Sequence, residues 1–182
     1  MDCQSIKCFI NVKCANSSMT LLTIEKENFI IIKGALLSKE AHAVLVDILE
    51  KILDHVLSIE QNIDRLTKPP ISNAVSSISH ALSELAETDL NRMENSLPYV
   101  PKEPLTSLRA LATCLLDKVQ TSVKAGKGEM AQLQEEALLL IKGIDSSFPT
   151  AYFLPHEDDL LVLDKRLFAA CKRICQALQA QD

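Results

Sequence analysis

The sequence predicts an α+β fold: a small N-terminal antiparallel β-meander of two or three strands, then a five-helix up-and-down bundle, in a single domain spanning residues 1–182. Three observations predict it. The hydrophobic period changes at Leu37–Ser38, from alternating or continuous apolar runs to helical spacing. Past that point, proline and glycine breaks divide the chain into five amphipathic stretches. The composition is 47% hydrophobic yet only 4% aromatic, with no Trp, so a Leu/Ile/Val/Ala core is expected. No Ser/Gly-rich or charged stretch marks an interdomain linker, and residues 1–37 read as a sheet subdomain attached to helical residues 38–182.

The first strand runs from Ile6 to Cys14, where Ile6, Cys8, Ile10, Val12 and Cys14 alternate with Lys7, Phe9, Asn11 and Lys13. Ala15-Asn16-Ser17-Ser18 is a turn cluster. A short strand Thr20 to Ile24, a polar turn Glu25 to Asn28 and a third run Phe29 to Leu36 complete the meander.

Ser38 is the expected N-cap of a helix reaching about Leu66, with Glu40 in its first turn. Its seam, Leu45, Leu49, Ile52, Val56, Ile59, Ile63 and Leu66, alternates spacings of four and three, a heptad pattern. Pro69-Pro70 ends it. The second helix carries Ile71, Val75, Ile78, Leu82, Leu85 or Ala86, Leu90, Met93 and Leu97, with one extra residue near Ala86, a stutter in the repeat. Beside that stripe runs a row of small residues, Ser72, Ser76, Ser79 and Ser83. Pro98, Pro101 and Pro104 stiffen the next connection, and Pro104 suits the first turn of a third helix with Leu105, Leu108, Leu111, Ala112, Leu115, Val119 and Val123 inward. A fourth helix from about Glu129 to Lys142 is expected to close on Gly143 in the C′ role. The fifth follows the acidic run His156 to Asp159, with Leu160, Leu163 or Leu167, Cys171, Ile174 and Leu178 inward.

Chemistry is harder to find. The net charge of −5 argues against nucleic-acid binding, which needs clustered cations. Apolar runs such as Phe29 to Ile32 are far below the roughly 20 residues of a membrane span, and the N-terminus lacks the uninterrupted apolar core of a secretory signal, so a cytoplasmic location is expected. The six cysteines are then expected to be reduced and metal-free, because their spacing suits packing better than ligation. Cys171 and Cys175, one turn apart, supply at most half a zinc site. Lys124 to Glu129 lacks the glycine spacing of a phosphate loop and reads as an interhelical turn. None of His42, His55, His80 or His156 has a local nucleophile and orienting partner. Lys165, Arg166, Lys172 and Arg173 line one side of the last helix; with Asp158, Asp159 and Asp164 near them they read as a solvated face.

No catalytic residue, metal site or cofactor is expected. The leading functional expectation is a non-enzymatic interaction or scaffold protein that self-associates through a sheet edge or the heptad seam, with Ile59, Ile63 and Leu66 as the contact, because the apolar stripe narrows after Leu57 to a coiled-coil width. On that reading Ile63→Asp would weaken association and spare the helices. The alternative is a chaperone or adaptor that receives a partner helix in a groove; the layout alone, without any residue motif, is similar to that of small bacterial secretion-accessory proteins. An enzyme of unrecognised type is the second alternative.

Overall fold

The computed structural model describes residues 9–14, 17–24, 29–32, 39–97, 100–124, 128–148 and 158–181, with side chains from Glu40 to Gln181 apart from Val123, Asp158 and Asp159. Between Glu40 and Ala180 every described element is a helix or helical turn, joined by short non-helical connections, with no strand. Helix α1 spans Lys39–Ile63 and tightens into a 3-10 turn, Asp64–Thr67. Next come α2 (Ser72–Ser83), a π-helical turn (Glu84–Asp89) and α3 (Leu90–Ser96), which continue one another without a break and form a single rod. Then follow α4 (Lys102–Lys124), α5 (Ala131–Ser147) and α6 (Asp158–Ala180), giving five rods among the described residues.

The α+β class is therefore corrected. Such a fold needs a sheet layer sharing one core with the helices, whereas the described core, Leu45 to Leu178, is one cluster closed by helices alone. The body is all-helical. The expected meander falls on residues whose side chains lie outside the described ones; the backbone at Phe9–Cys14, Ser17–Ile24 and Phe29–Ile32 pairs as an antiparallel ladder in chain order.

Side-chain pairs set the direction of each rod. His55 with Asp89 and Arg92 with Asp47 make the α2–α3 rod antiparallel to α1. Arg109 with Asp145 makes α5 antiparallel to α4. Glu60 with Arg173, and then the Ile63 carbonyl with Gln181, are ascending pairs, so α6 runs parallel to α1. Direction thus alternates along the chain, but neighbours do not follow chain order. Around the bundle the principal neighbours run α1, the α2–α3 rod, α5, α4, α6 and back to α1. The connections after Ser96 and Ser147 each join helices that are not principal neighbours.

The stripes read from the sequence face this core, with Ile71 half-buried at its edge and the side chain of Val123 outside the described residues. Leu85 takes the inward place that it shared with Ala86 in the sequence reading, and the stutter is where the helix widens: the Leu90 N–H bonds to the Leu85 carbonyl, five residues back. A π-turn absorbs one extra residue, so Leu82, Leu85, Leu90 and Met93 all stay inward across a break in the heptad.

Gly143 is corrected in role. It lies inside α5, which continues four residues past it to Ser147. A methyl placed there would meet Leu90 Cδ1 at 3.5 Å, an ordinary van der Waals distance. Gly143→Ala is thus expected to stabilise the chain by up to about 1 kcal/mol, by removing the entropy that glycine loses in a helix. A higher thermal midpoint checks this, and a lower one would mean that α5 and α3 cannot give way to the methyl.

The cysteine expectation is corrected as well. Cys114 and Cys175 form a disulfide between α4 and α6, with Cα atoms 5.7 Å apart. Both are half-buried at the edge of the α4–α6 contact, close enough to join, whereas helical period shows only which face each occupies. Cys171 is a free thiol in the core, and burial pushes its pKa up to about 12, which makes it inert. Of the six cysteines, the pair removes two, so denaturing thiol titration of unreduced protein should count at most four. A count of six would show the pair to be open.

Candidate interaction surface

Ile59, Ile63 and Leu66, the contact expected from the seam, are 0%, 1% and 3% exposed within a single chain. Of the polar residues beside them, which made the stripe look narrow, Glu60 serves the bundle itself, while Gln61, Asp64 and Arg65 are exposed. Glu60 takes a two-pronged bond from Arg173, with Nε to Oε1 at 2.6 Å and Nη2 to Oε2 at 3.1 Å. The Asn62 amide donates to the Ser58 carbonyl, and the Gln181 amide donates to the Ile63 carbonyl. This seam is where α1 meets its own neighbours.

The histidines separate clearly. His80 is exposed on α2, and His156 lies outside the described residues. His55 Nδ1 is 2.7 Å from Asp89 Oδ2, with side-chain exposures of 25% and 2%. The π-turn turns Asp89 inward, one residue before core Leu90. Burial raises the Asp89 pKa, opposed by the hydrogen bond and charge of His55; Glu84 adds to the rise and Arg92 lowers it. An imidazole and a buried carboxylate make two of three catalytic parts, but the pair lies in a packed seam, and no hollow described in the structure is lined by either residue. Its role is to fix the register of the α2–α3 rod on α1.

Among the described residues no group of three or more His, Cys, Asp or Glu is placed to hold a metal, and no helix is long and apolar enough to cross a membrane. Cys175 is spoken for by Cys114, which dissolves the Cys171–Cys175 half-site. A hollow of about 450 Å3 lies between the Pro69-Pro70 turn and Gly128–Glu129. Its size suits a small molecule; among the described residues that line it Glu129 is the one ionisable side chain, so these residues bring together no pair of titratable groups.

The surface feature that stands out is the outward face of α6. Three large apolar side chains are exposed there: Phe168 at 60%, Val162 at 55% and Leu161 at 41%. A Phe left in water forfeits roughly 2 kcal/mol of burial. Lys165, Arg166, Lys172 and Arg173 lie exposed between and beside them, because positions 161, 165, 168 and 172 stack one above the other along a helix. The only acidic side chain between Leu160 and Gln181 is Asp164, which is buried, so the exposed part of this face is cationic and apolar. The basic row was legible in the sequence. The apolar part was missed, although Phe168 stands beside inward Leu167 and is therefore turned about 100° from it.

No family model matches the chain, and no curated protein or solved structure matches it either.

Proposed function

We propose that the chain is a non-enzymatic protein–protein interaction module whose docking surface is the outward face of α6. The observation that carries this reading is the exposed cluster of Phe168, Leu161 and Val162 among Lys165, Arg166 and Lys172. Aromatic anchors and Arg are the residues that concentrate binding energy at protein interfaces. The cations select an acidic partner surface.

A lipid surface fits less well. An interfacial helix turns its continuous apolar stripe to the membrane, but the stripe of α6, Leu160, Leu163, Leu167, Ile174 and Leu178, is buried in the bundle. This face does not itself receive a partner helix in a groove, because it is the convex outward surface of α6. The heptad seam plays no part in this reading, since its residues are already covered.

A photo-crosslinking residue at position 168, with a control at exposed Asp54 on α1, tests the reading in cells that make the protein. Discrete protein adducts from 168 and none from 54 are expected. No adducts from 168, or the same adducts from both, would overturn it.

A further inference from the structure

Resting on that docking face, we infer that its partner is a second copy of this chain, bound through the acidic seam between the α2–α3 rod and α5. In the ring of helices, the neighbours of α6 are α1 and α4, so the α2–α3 rod and α5 lie on the opposite side. That opposite side has the complementary charge. Glu87 and Glu94 line a groove of about 270 Å3 whose floor includes Leu90 and Gly143. Glu135 and Glu136 follow on α5, one turn before exposed Leu139. Arg92, the cation of α3, is held toward α1 by Asp47 at 2.8 Å and does not neutralise the groove.

The acidic seam holds more negative than positive charge: Glu87, Glu94, Glu135 and Glu136 stand against Lys142, the exposed cation of α5. The Glu136 pKa is raised, first by partial burial and then by Glu135 and Glu87. Cations laid across the seam would relieve that crowding. Gly143 leaves the groove open between Glu87 and Glu94, and exposed Leu139 beside it supplies apolar area, so the seam offers what the Phe168 face lacks: negative charge, a recess and an apolar margin.

Because the two surfaces lie on opposite sides of one chain, the contact is head-to-tail. Each copy donates its α6 face to one neighbour and its acidic seam to the next, so assembly continues into a ring or a filament instead of stopping at a two-fold dimer. Charge pairing across it also makes assembly sensitive to salt.

The test uses the full chain and two charge-reversed variants, Lys165→Glu with Lys172→Glu on α6 and Glu87→Lys with Glu136→Lys on the seam. Light scattering over a concentration series reads assembly, and circular dichroism confirms that each variant is folded. The wild type should assemble and dissociate as salt rises. Each variant alone should associate at least about tenfold more weakly, since opposite charges become like charges. An equimolar mixture, in which every reversed face meets a reversed partner, should regain wild-type size. Three results would each overturn the inference: a monomeric wild type, a seam variant that assembles normally, or a mixture that stays monomeric. Adducts from position 168 to other proteins, with none between copies, would overturn the self-association and leave the docking face standing.

Discussion

Ile63→Asp is expected to unfold the chain as completely as Ile52→Asp. Both isoleucines are buried in the one helical core, Ile52 near the middle of α1 and Ile63 at its last turn. A carboxylate at either place loses its water and finds no designed partner, at a cost of several kcal/mol on top of the lost apolar burial. A small domain holds about 5–15 kcal/mol in reserve, so either change removes most of it. The check is circular dichroism through a thermal melt. Loss of the cooperative transition in both variants is expected, whereas a folded Ile63→Asp would put the end of α1 at the surface, as the sequence reading had it.

His55→Ala is expected to destabilise the fold by about 3 kcal/mol near neutral pH, because it strands Asp89 in the seam without its partner. The sign with pH follows from the raised Asp89 pKa. A carboxyl whose folded-state value lies above its ordinary 3.8 favours the fold when protonated, and that contribution is lost as pH rises through the folded value. Removing His55 takes away the hydrogen bond and charge that hold the value down, which widens the window. The deficit of His55→Ala relative to wild type should therefore shrink as pH falls toward 4. Taking the difference between the two proteins cancels groups with the opposite trend, such as Asp145, whose pKa Arg109 lowers. A deficit that is flat with pH would show that Asp89 is not the group left exposed by the loss. In an Asp89→Asn background, where position 89 keeps its shape and loses its charge, the deficit caused by His55→Ala should not vary with pH in that window.

The inward faces of four of the five rods were legible in the sequence, because burial imposes a period on the residues that carry it; for α5 only the extent was read, and Leu133, Ala137, Leu140 and Ile144 were not picked out. Even the stutter at Ala86 was visible, and it marks the π-turn. What each face meets was not legible. The end of α1 shows why: Glu60 and Asn62 beside Ile63 look like the polar flanks of a solvent-facing seam, yet Glu60 reaches α6, 113 residues away. Period reports a direction from the helix axis and carries no information about the neighbour in that direction. The same limit hid the Cys114–Cys175 bridge, the His55–Asp89 pair and the ring order of the helices, all of which join distant parts of the chain. The class itself went wrong for a related reason. Strand-like periodicity before Leu37 shows how that segment would pair, not that it joins the core of the helices.

The candidate surface was half legible. Lys165, Arg166, Lys172 and Arg173 are evident as a row, and Phe168 sits among them in plain sight. An exposed aromatic is recognised only once the inward stripe is fixed by packing, since one more apolar residue on a helix is otherwise credited to the core.

Sedimentation velocity of Phe168→Asp beside wild type, over a range of concentrations, reads whether the outward face of α6 carries the association. The wild type should sediment faster as concentration rises, while Phe168→Asp stays at the monomer value with an unchanged helical spectrum. Equal concentration dependence in both proteins would contradict the claim, and association would then have to be sought away from the outward face of α6.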